Sequence, residues 1–288
     1  VEQIVYLNGD YVALADAKVP VLDRGFIFGD GVYEVIPAYG RVLFRLDEHL
    51  ARLEHSLHAT RITNPHDAAT WRTLLETVVA RNPWDDQSVY LQVTRGVAPR
   101  TQEFPKGDVR PTVFIMSNPL KMPTPEQRAN GVAVVTRDDY RWRRCDIKSV
   151  SLLANCLLRQ EAEDAGAVET VLIRDGNVKE ASTCNVLLVK DGVIIAPPKD
   201  HLILHGITFD LALELARAAG LPLQTREVKR AELFTADEVW LSSSAREVLP
   251  VVTVDGKRIG TGKPGPAYAR MHQLFQDYKA RTRAAAHA

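Results

Sequence analysis

In the stretch DIKSVSLLANCLLRQEAEDAG a lysine, Lys148, stands just ahead of Leu152, Leu153, Leu157 and Leu158, which recur at helical spacing. Ala162 and Ala165 continue that face, Gly166 closes it, and a strand-like run over residues 168–173 follows. An ammonium at such a joint has two uses. Its stem can lie on apolar surface while its head stays in water. Alternatively, partial burial lowers its pKa and frees the amine to act as nucleophile and base. The second use needs companions elsewhere in the chain.

A lysine that condenses with the aldehyde of pyridoxal phosphate needs a phosphate cradle, an acidic partner for the pyridine nitrogen and a grip on a substrate carboxylate. HGITFDLALELARAAG offers a cradle: Gly206 admits close approach, and the amides of Ile207 and Thr208 open an amphipathic helix at its positive end. An ordinary Thr-capped helix reads the same way. LSSSARE adds Ser243 and Ser244 at the end of a hydrophobic strand, where serines also make common turns. Arg52, in EHLARLEHSL, lies three residues after His49 and either faces inward or stays solvated.

Glu180, in NVKEASTCNVLLV, precedes small polar residues and a buried strand, so it is the candidate partner for a ring nitrogen; a loop glutamate in water is the alternative. Arg100, in TRGVAPRTQEFP, suits a carboxylate, which an arginine can grip with two parallel hydrogen bonds. Arg95 competes for that role, and Tyr33 could add a phenolic hydrogen bond. His55 and His58 lack an acidic companion motif, so no metal site is expected. Gly29 and Gly31 form only G-x-G, too little for a dinucleotide site.

The elements that must position these residues are mostly legible. Asn8-Gly9, Asp175-Gly176, Asp191-Gly192 and Asp255-Gly256 mark hairpins, which favours an α+β class over a doubly wound sheet. Asp47 is the expected N-cap of a helix with Leu50, Leu53 and Leu57 on one face, and a second helix is expected over residues 66–80. Further helices are expected over residues 208–219 and from about Pro266. Residues 118–127 carry three prolines without periodicity. The expected division is a domain over 1–118, a linker over 119–127 and a domain over 128–288.

The chain has 288 residues, and its 36 basic and 36 acidic side chains give a formal net charge of zero, so no global field attracts nucleic acid or an anionic membrane. No apolar run approaches the roughly twenty residues of a membrane span. Cys145, Cys156 and Cys184 show no C-x-x-C spacing, and a cytoplasmic setting is expected.

Taken together and in order, YLNGDYV, DRGFIFGDGVYEV, EHLARL, QVTRGVAPRTQEFP, RWRRCDIKSVSLLANCLLRQEAEDAGA, EASTCNV, HGIT and the LSSS strand resemble the fold-type IV pyridoxal-phosphate enzymes over nearly the whole chain, with the D-amino-acid transaminases the nearest subgroup. The resemblance implies a small N-terminal α/β domain, a larger C-terminal mixed α/β pseudo-barrel, and a homodimer with active sites near its interface. It implies that Lys148 binds pyridoxal 5'-phosphate covalently and moves the Cα proton, that Glu180 meets the pyridine nitrogen, and that Leu204 lies against the ring. Arg52, Ile207, Thr208, Ser243 and Ser244 would hold the phosphate; Tyr33 and Arg100 would hold the substrate carboxylate. The implied reaction is amino transfer between a D-amino acid such as D-alanine and a 2-oxo acid such as 2-oxoglutarate or pyruvate.

Three departures stand out. Gln102 replaces a histidine two residues after the carboxylate-binding arginine, and an amide donates a hydrogen bond but carries no charge. Arg246 replaces a small hydroxyl residue; facing the pocket it would favour acidic substrates, and facing outward it would be a surface residue. Leu153 stands where the branched-chain subgroup has tyrosine, which speaks against an L-branched-chain transaminase. An aminodeoxychorismate lyase has no comparable need for PRTQEFP, and a non-catalytic cofactor-binding homologue would not need to keep Lys148, Glu180 and Arg52.

Overall fold

Four tight turns set the local geometry. Asn8-Gly9, Asp175-Gly176, Asp191-Gly192 and Asp255-Gly256 all hold positive φ at both residues, the conformation that joins right-twisted antiparallel strands. The computed structural model describes residues 2–286. It divides into two units: one runs to Lys121 and takes in Ile147–Leu152, and the other comprises Met122–Asp146 and Leu153–Ala284. The class is α+β, as expected.

The first unit contains β1 (Ile4–Leu7), β2 (Asp10–Ala13), α1 (Arg24–Phe28), β3 (Gly31–Tyr39), β4 (Val42–Leu43), α2 (Leu46–Thr60), α3 (Ala68–Arg81), β5 (Gln87–Thr94) and β6 (Thr112–Pro119). Its six strands form one antiparallel sheet in the order β2-β1-β6-β5-β3-β4. Burial alternates along most of β5, the mark of a sheet with one covered face. Leu53 and Leu57 of α2 and Trp71, Leu75 and Val78 of α3 pack there with Val89, Leu91 and Val93. Asp67 caps α3 through the Thr70 amide, 2.7 Å away. Asp47 is not the N-cap of α2. Arg45, in left-handed backbone, takes that position, and Asp47 lies in the first turn, where its charge still favours the helix dipole.

The second unit contains α4 (Pro125–Asn130), β7 (Val132–Asp138), α5 (Leu153–Asp164), β8 (Glu169–Arg174), β9 (Asn177–Ala181), β10 (Asn185–Lys190), β11 (Val193–Ala196), α6 (Ile207–Ala218), β12 (Leu223–Thr225), β13 (Val228–Lys229), β14 (Glu238–Ser243), β15 (Glu247–Val254), β16 (Lys257–Arg258) and α7 (Pro266–Ala286). A ten-stranded sheet runs β12-β11-β10-β14-β15-β7-β8-β9-β13, with β16 on β15. Three of its pairs are parallel. That order sets β9 and β10 five places apart, about 24 Å across a flat sheet. Only Ser182, Thr183 and Cys184 join them, enough chain for about 14 Å. The sheet must therefore curl, and Ala181 N–H donates to Cys184 O where the two strands meet.

Two expectations change. Thr124 and Gln127 form a reciprocal cap that opens α4, so the proline-bearing segment is helical at its end. Lys148 does not begin a helix: α5 starts at Leu153, and Leu153 and Leu157 are 76% and 53% exposed, while Leu158 and Ala162 are buried. Ile147–Leu152 instead lies along β3, as the Val32–Ser149 bridge shows.

The loop carrying Arg100 and Gln102 leaves β5 through Gly96, whose φ is +98°. A Cβ there would lie 2.1 Å from the Arg110 carbonyl oxygen. Gly96→Ala is therefore expected to lower unfolding free energy by about 2 kcal/mol or more, because both the backbone conformation and the contact are lost. Urea denaturation measures it; an unchanged midpoint contradicts the account.

Candidate active site

In the first unit, Lys148 is held by its backbone. Its carbonyl accepts the Tyr33 amide at 2.9 Å, its own amide donates to Ser56 Oγ at 3.2 Å, and the Val150 amide donates to Gly31 O at 3.0 Å. Ser151 Oγ donates to Gly29 O at 2.9 Å; a side chain on Gly29 would meet that hydroxyl, and its φ of +65° already favours glycine. With the main chain fixed, Lys148 Nζ lies 4.2 Å from the centroid of the Tyr33 ring, over its electron-rich face.

Behind the lysine segment Arg52 and His49 close on a buried residue that no sequence motif marked, Glu34. Glu34, on β3, is fully buried and accepts Arg52 Nε on one oxygen and Nη2 on the other, each at 2.7 Å, while His49 Nδ1 lies 2.8 Å from the oxygen that takes Nη2. Burial alone would raise the Glu34 carboxyl, but the Arg52 guanidinium outweighs it and holds the group well below the usual carboxylate range. Burial pushes the His49 imidazole down, against the pull of Glu34. Arg52 thus does face inward, with two of its nitrogens bound to Glu34. The alternation of β3, which puts the Tyr33 and Glu34 side chains on opposite faces, was the available signal.

Arg100 and Gln102 lie exposed on the loop after β5 in the same unit. Arg100 sits over the Phe28 ring at 5.4 Å. Arg24, buried, donates from Nη1 to Thr101 O at 2.7 Å and from Nε to Asp30 at 2.8 Å. Arg95, the rival for the carboxylate, is committed to Asp30 at 2.8 and 3.0 Å and stacks on Phe104 at 3.7 Å, so its role is to brace the loop.

In the second unit, Glu180 is buried at the end of β9. One oxygen takes Arg141 Nη1 at 2.7 Å; the other takes the Leu204 amide at 3.0 Å and Asn185 Nδ2 at 3.2 Å. Burial pushes its carboxyl up, against the Arg141 guanidinium. Arg141 also holds Asp139 at 2.9 Å, and Arg174 holds Asp139 at 3.1 Å, so two cations balance two carboxylates. The arginine-dense RWRR run was the signal for Arg141.

Asn185 ties the parts of this unit together. It bonds Leu204 O at 2.8 Å, and its Oδ1 packs against Gly206, where a Cβ would come within 2.1 Å. Gly206 is the N-cap of α6 and offers no side-chain cap to the first amides, Ile207 and Thr208. Across the ladder from Asn185 stands Ser242, whose buried Oγ has no partner among the described residues; Ser243 and Ser244 follow, half-buried. Uncapped helix amides beside serine hydroxyls suit a phosphate, and an enclosed carboxylate with fixed donors suits a protonated ring nitrogen. The residues present therefore fit pyridoxal phosphate.

Arg246 does not offer a free charge to an acidic substrate. Its Nη1 lies 2.9 Å from fully buried Glu169 and 3.1 Å from Cys184 Sγ, and Nη2 donates to Val168 O. Burial pushes the Cys184 thiol up to about 11, so Cys184 is a neutral neighbour. Glu169 also accepts the hydroxyls of Ser182 and Thr183.

Known proteins share this sequence pattern and this architecture. The family model described as amino-transferase class IV matches residues 31–254. D-alanine aminotransferase of Bacillus licheniformis is 42% identical over 273 residues, covering 95% of this chain and 96% of that protein. The branched-chain amino acid aminotransferase of Escherichia coli shares the fold at TM-score 0.89 and 27% identity, covering 96% of this chain and 94% of that one. A branched-chain amino acid aminotransferase from T.th., solved with pyridoxamine 5'-phosphate, gives TM-score 0.88 and 27% identity at the same coverage.

The Glu34–His49 pair makes stability depend on pH with a definite sign. Both groups are depressed on folding, so the unfolded chain binds more protons on acidification. His49's contribution is complete above its unfolded pKa of about 6.5 and is lost as pH falls below that; Glu34's is lost only below its unfolded pKa of about 4.3. Urea-derived stability should therefore fall from pH 7 to pH 5, and His49→Gln should flatten that slope. An unchanged slope contradicts the assignment.

Proposed function

The chain belongs to the class IV aminotransferases, a pyridoxal-phosphate-dependent family, and we propose that it exchanges the amino group between a D-amino acid, D-alanine first among them, and a 2-oxo acid such as 2-oxoglutarate or pyruvate. The observation that carries this is the 42% identity to a D-alanine aminotransferase along 95% of the chain. The likeness in fold to branched-chain enzymes, at 27% identity, supports the alternative less strongly. We also propose a homodimer, supported by exposed Val21 and Phe26 at 72% and 74%, and a cytoplasmic setting, supported by three unpaired cysteines. No described helix is long and apolar enough to cross a membrane.

The proposed roles follow from the side chains. Lys148 holds the cofactor covalently through Nζ, and Glu180 meets its ring nitrogen. The amides of Ile207 and Thr208, the hydroxyls of Ser243 and Ser244, and Arg52 hold its phosphate, with Leu204 against the ring. When bound, the cofactor supplies an electron-accepting pyridinium that stabilises the charge left by a departing Cα proton. Lys148 Nζ, released when the substrate's own amine takes its place on the cofactor, would take that proton from one face of Cα, and the hydrogen bonds fixing residue 148 would set which face. Arg141 and the Leu204 amide keep the Glu180 carboxylate oriented. Tyr33 Oη and the Arg100 guanidinium take the substrate carboxylate; Gln102 adds a neutral donor.

Assays with D-alanine plus 2-oxoglutarate, L-leucine plus 2-oxoglutarate, and aminodeoxychorismate test the proposal side by side. D-alanine should be preferred; preference for L-leucine, or lyase activity alone, overturns it. Lys148→Ala should lower turnover on the order of 10⁴-fold at every pH. Arg100→Ala should raise KM for D-alanine by about 10- to 100-fold while sparing simple amines, and equal loss for both moves the carboxylate grip elsewhere.

A further inference from the structure

The turn between β14 and β15 contains an unexpected residue. Ser243 pairs with Glu247 across the ladder, leaving Ser244, Ala245 and Arg246 as the connection. Glu247 has φ +55°, the left-handed region. Glycine is the usual residue at a left-handed position beside a tight turn, because a Cβ is disfavoured there. This chain keeps a glutamate and buries it, at 1% exposure.

The side chain is fully engaged. Lys279 Nζ donates to one carboxylate oxygen at 2.8 Å, and Arg128 Nη2 and Gln276 Nε2 donate to the other at 2.9 and 2.8 Å. Arg128 comes from α4, and Gln276 and Lys279 from α7. Arg246, the preceding residue, is tied to Glu169 on β8. The turn is therefore tethered to three elements through two adjacent residues. A glycine would satisfy the backbone without strain; keeping glutamate costs conformational free energy, which its three charged or polar partners offset.

We propose that Glu247 is a positioning residue: anchored by Arg128, Gln276 and Lys279, it fixes the turn so that Ser243 and Ser244 present their donors to the cofactor's phosphate. This rests on the reading that those serines hold the phosphate. Glu247 itself touches no reacting atom. Its effect falls on cofactor retention, and only on the part owed to the phosphate.

The test titrates the intact chain, freed of cofactor by dialysis, with pyridoxal 5'-phosphate and with phosphate-free pyridoxal, following absorbance. Glu247→Ala loses the anchor and keeps the strained backbone, so Kd for pyridoxal 5'-phosphate should rise about tenfold. Kd for pyridoxal should stay within about twofold of the parent's. Glu247→Gly relieves the backbone and should lose less, about threefold. An unchanged Kd, or equal weakening of both aldehydes, overturns the proposal. Should Glu247→Ala not fold, Glu247→Gln carries the same test, with about threefold selective loss expected and no selective loss overturning it. The Ser243→Ala/Ser244→Ala double variant separates the premise. Full affinity there sinks the phosphate reading and the proposal with it; loss there combined with parental affinity in Glu247→Ala sinks the proposal alone.

Discussion

Backbone hydrogen bonds from Ile147–Leu152 to β3 are the constraint on which the proposed chemistry depends. A lysine side chain has four rotatable bonds and disperses its charge over a large volume unless its main chain is fixed. Here the carbonyl and amide of residue 148 are both spoken for, and the Tyr33 ring limits where the ammonium goes. Tyr33 serves twice, since its amide anchors the lysine segment and its ring faces the amine. Chain continuity makes that arrangement demanding: Ile147–Leu152 groups with the first unit although the residues on either side belong to the second.

The second theme is that carboxylates are placed by burying them against arginine. Glu34 with Arg52, Glu180 with Arg141, Glu169 with Arg246 and Glu247 with Arg128 are all buried acids with a guanidinium within 2.9 Å. Such pairs contribute little net stability, because desolvation cancels most of the attraction, yet removing one partner typically costs about 3–5 kcal/mol. Their value is orientation: a planar guanidinium fixes the direction in which its carboxylate points. This accounts for the fate of Arg246. Its charge is matched by Glu169 and is not available to select acidic substrates.

What could be read from sequence divides along physical lines. Asn/Asp-Gly turns are local, and all four hairpins expected from them formed. The amphipathic helices α2, α3 and α6 were legible within a few residues, because periodicity is a property of one segment. The same logic misled at Lys148: the leucines after it do recur at helical spacing, but Leu153 and Leu157 point outward and the helix starts only at Leu153. Arg141, Asn185, Glu34 and His49 were missed for a different reason. Each acts through a partner set by strand register or chain return, as with Arg141 and Glu180, 39 residues apart. Spacing along a chain carries no trace of such a pairing. Resemblance supplied the candidates in their order; the structure added the groups that hold them.

The central claim is covalent, and it can be measured without any assay of turnover. Reducing the cofactor-loaded protein with borohydride, digesting it and mapping the peptides locates the attachment residue. The account predicts a pyridoxyl group on Lys148 and on no other lysine. A tag elsewhere, or none at saturating pyridoxal phosphate, contradicts it.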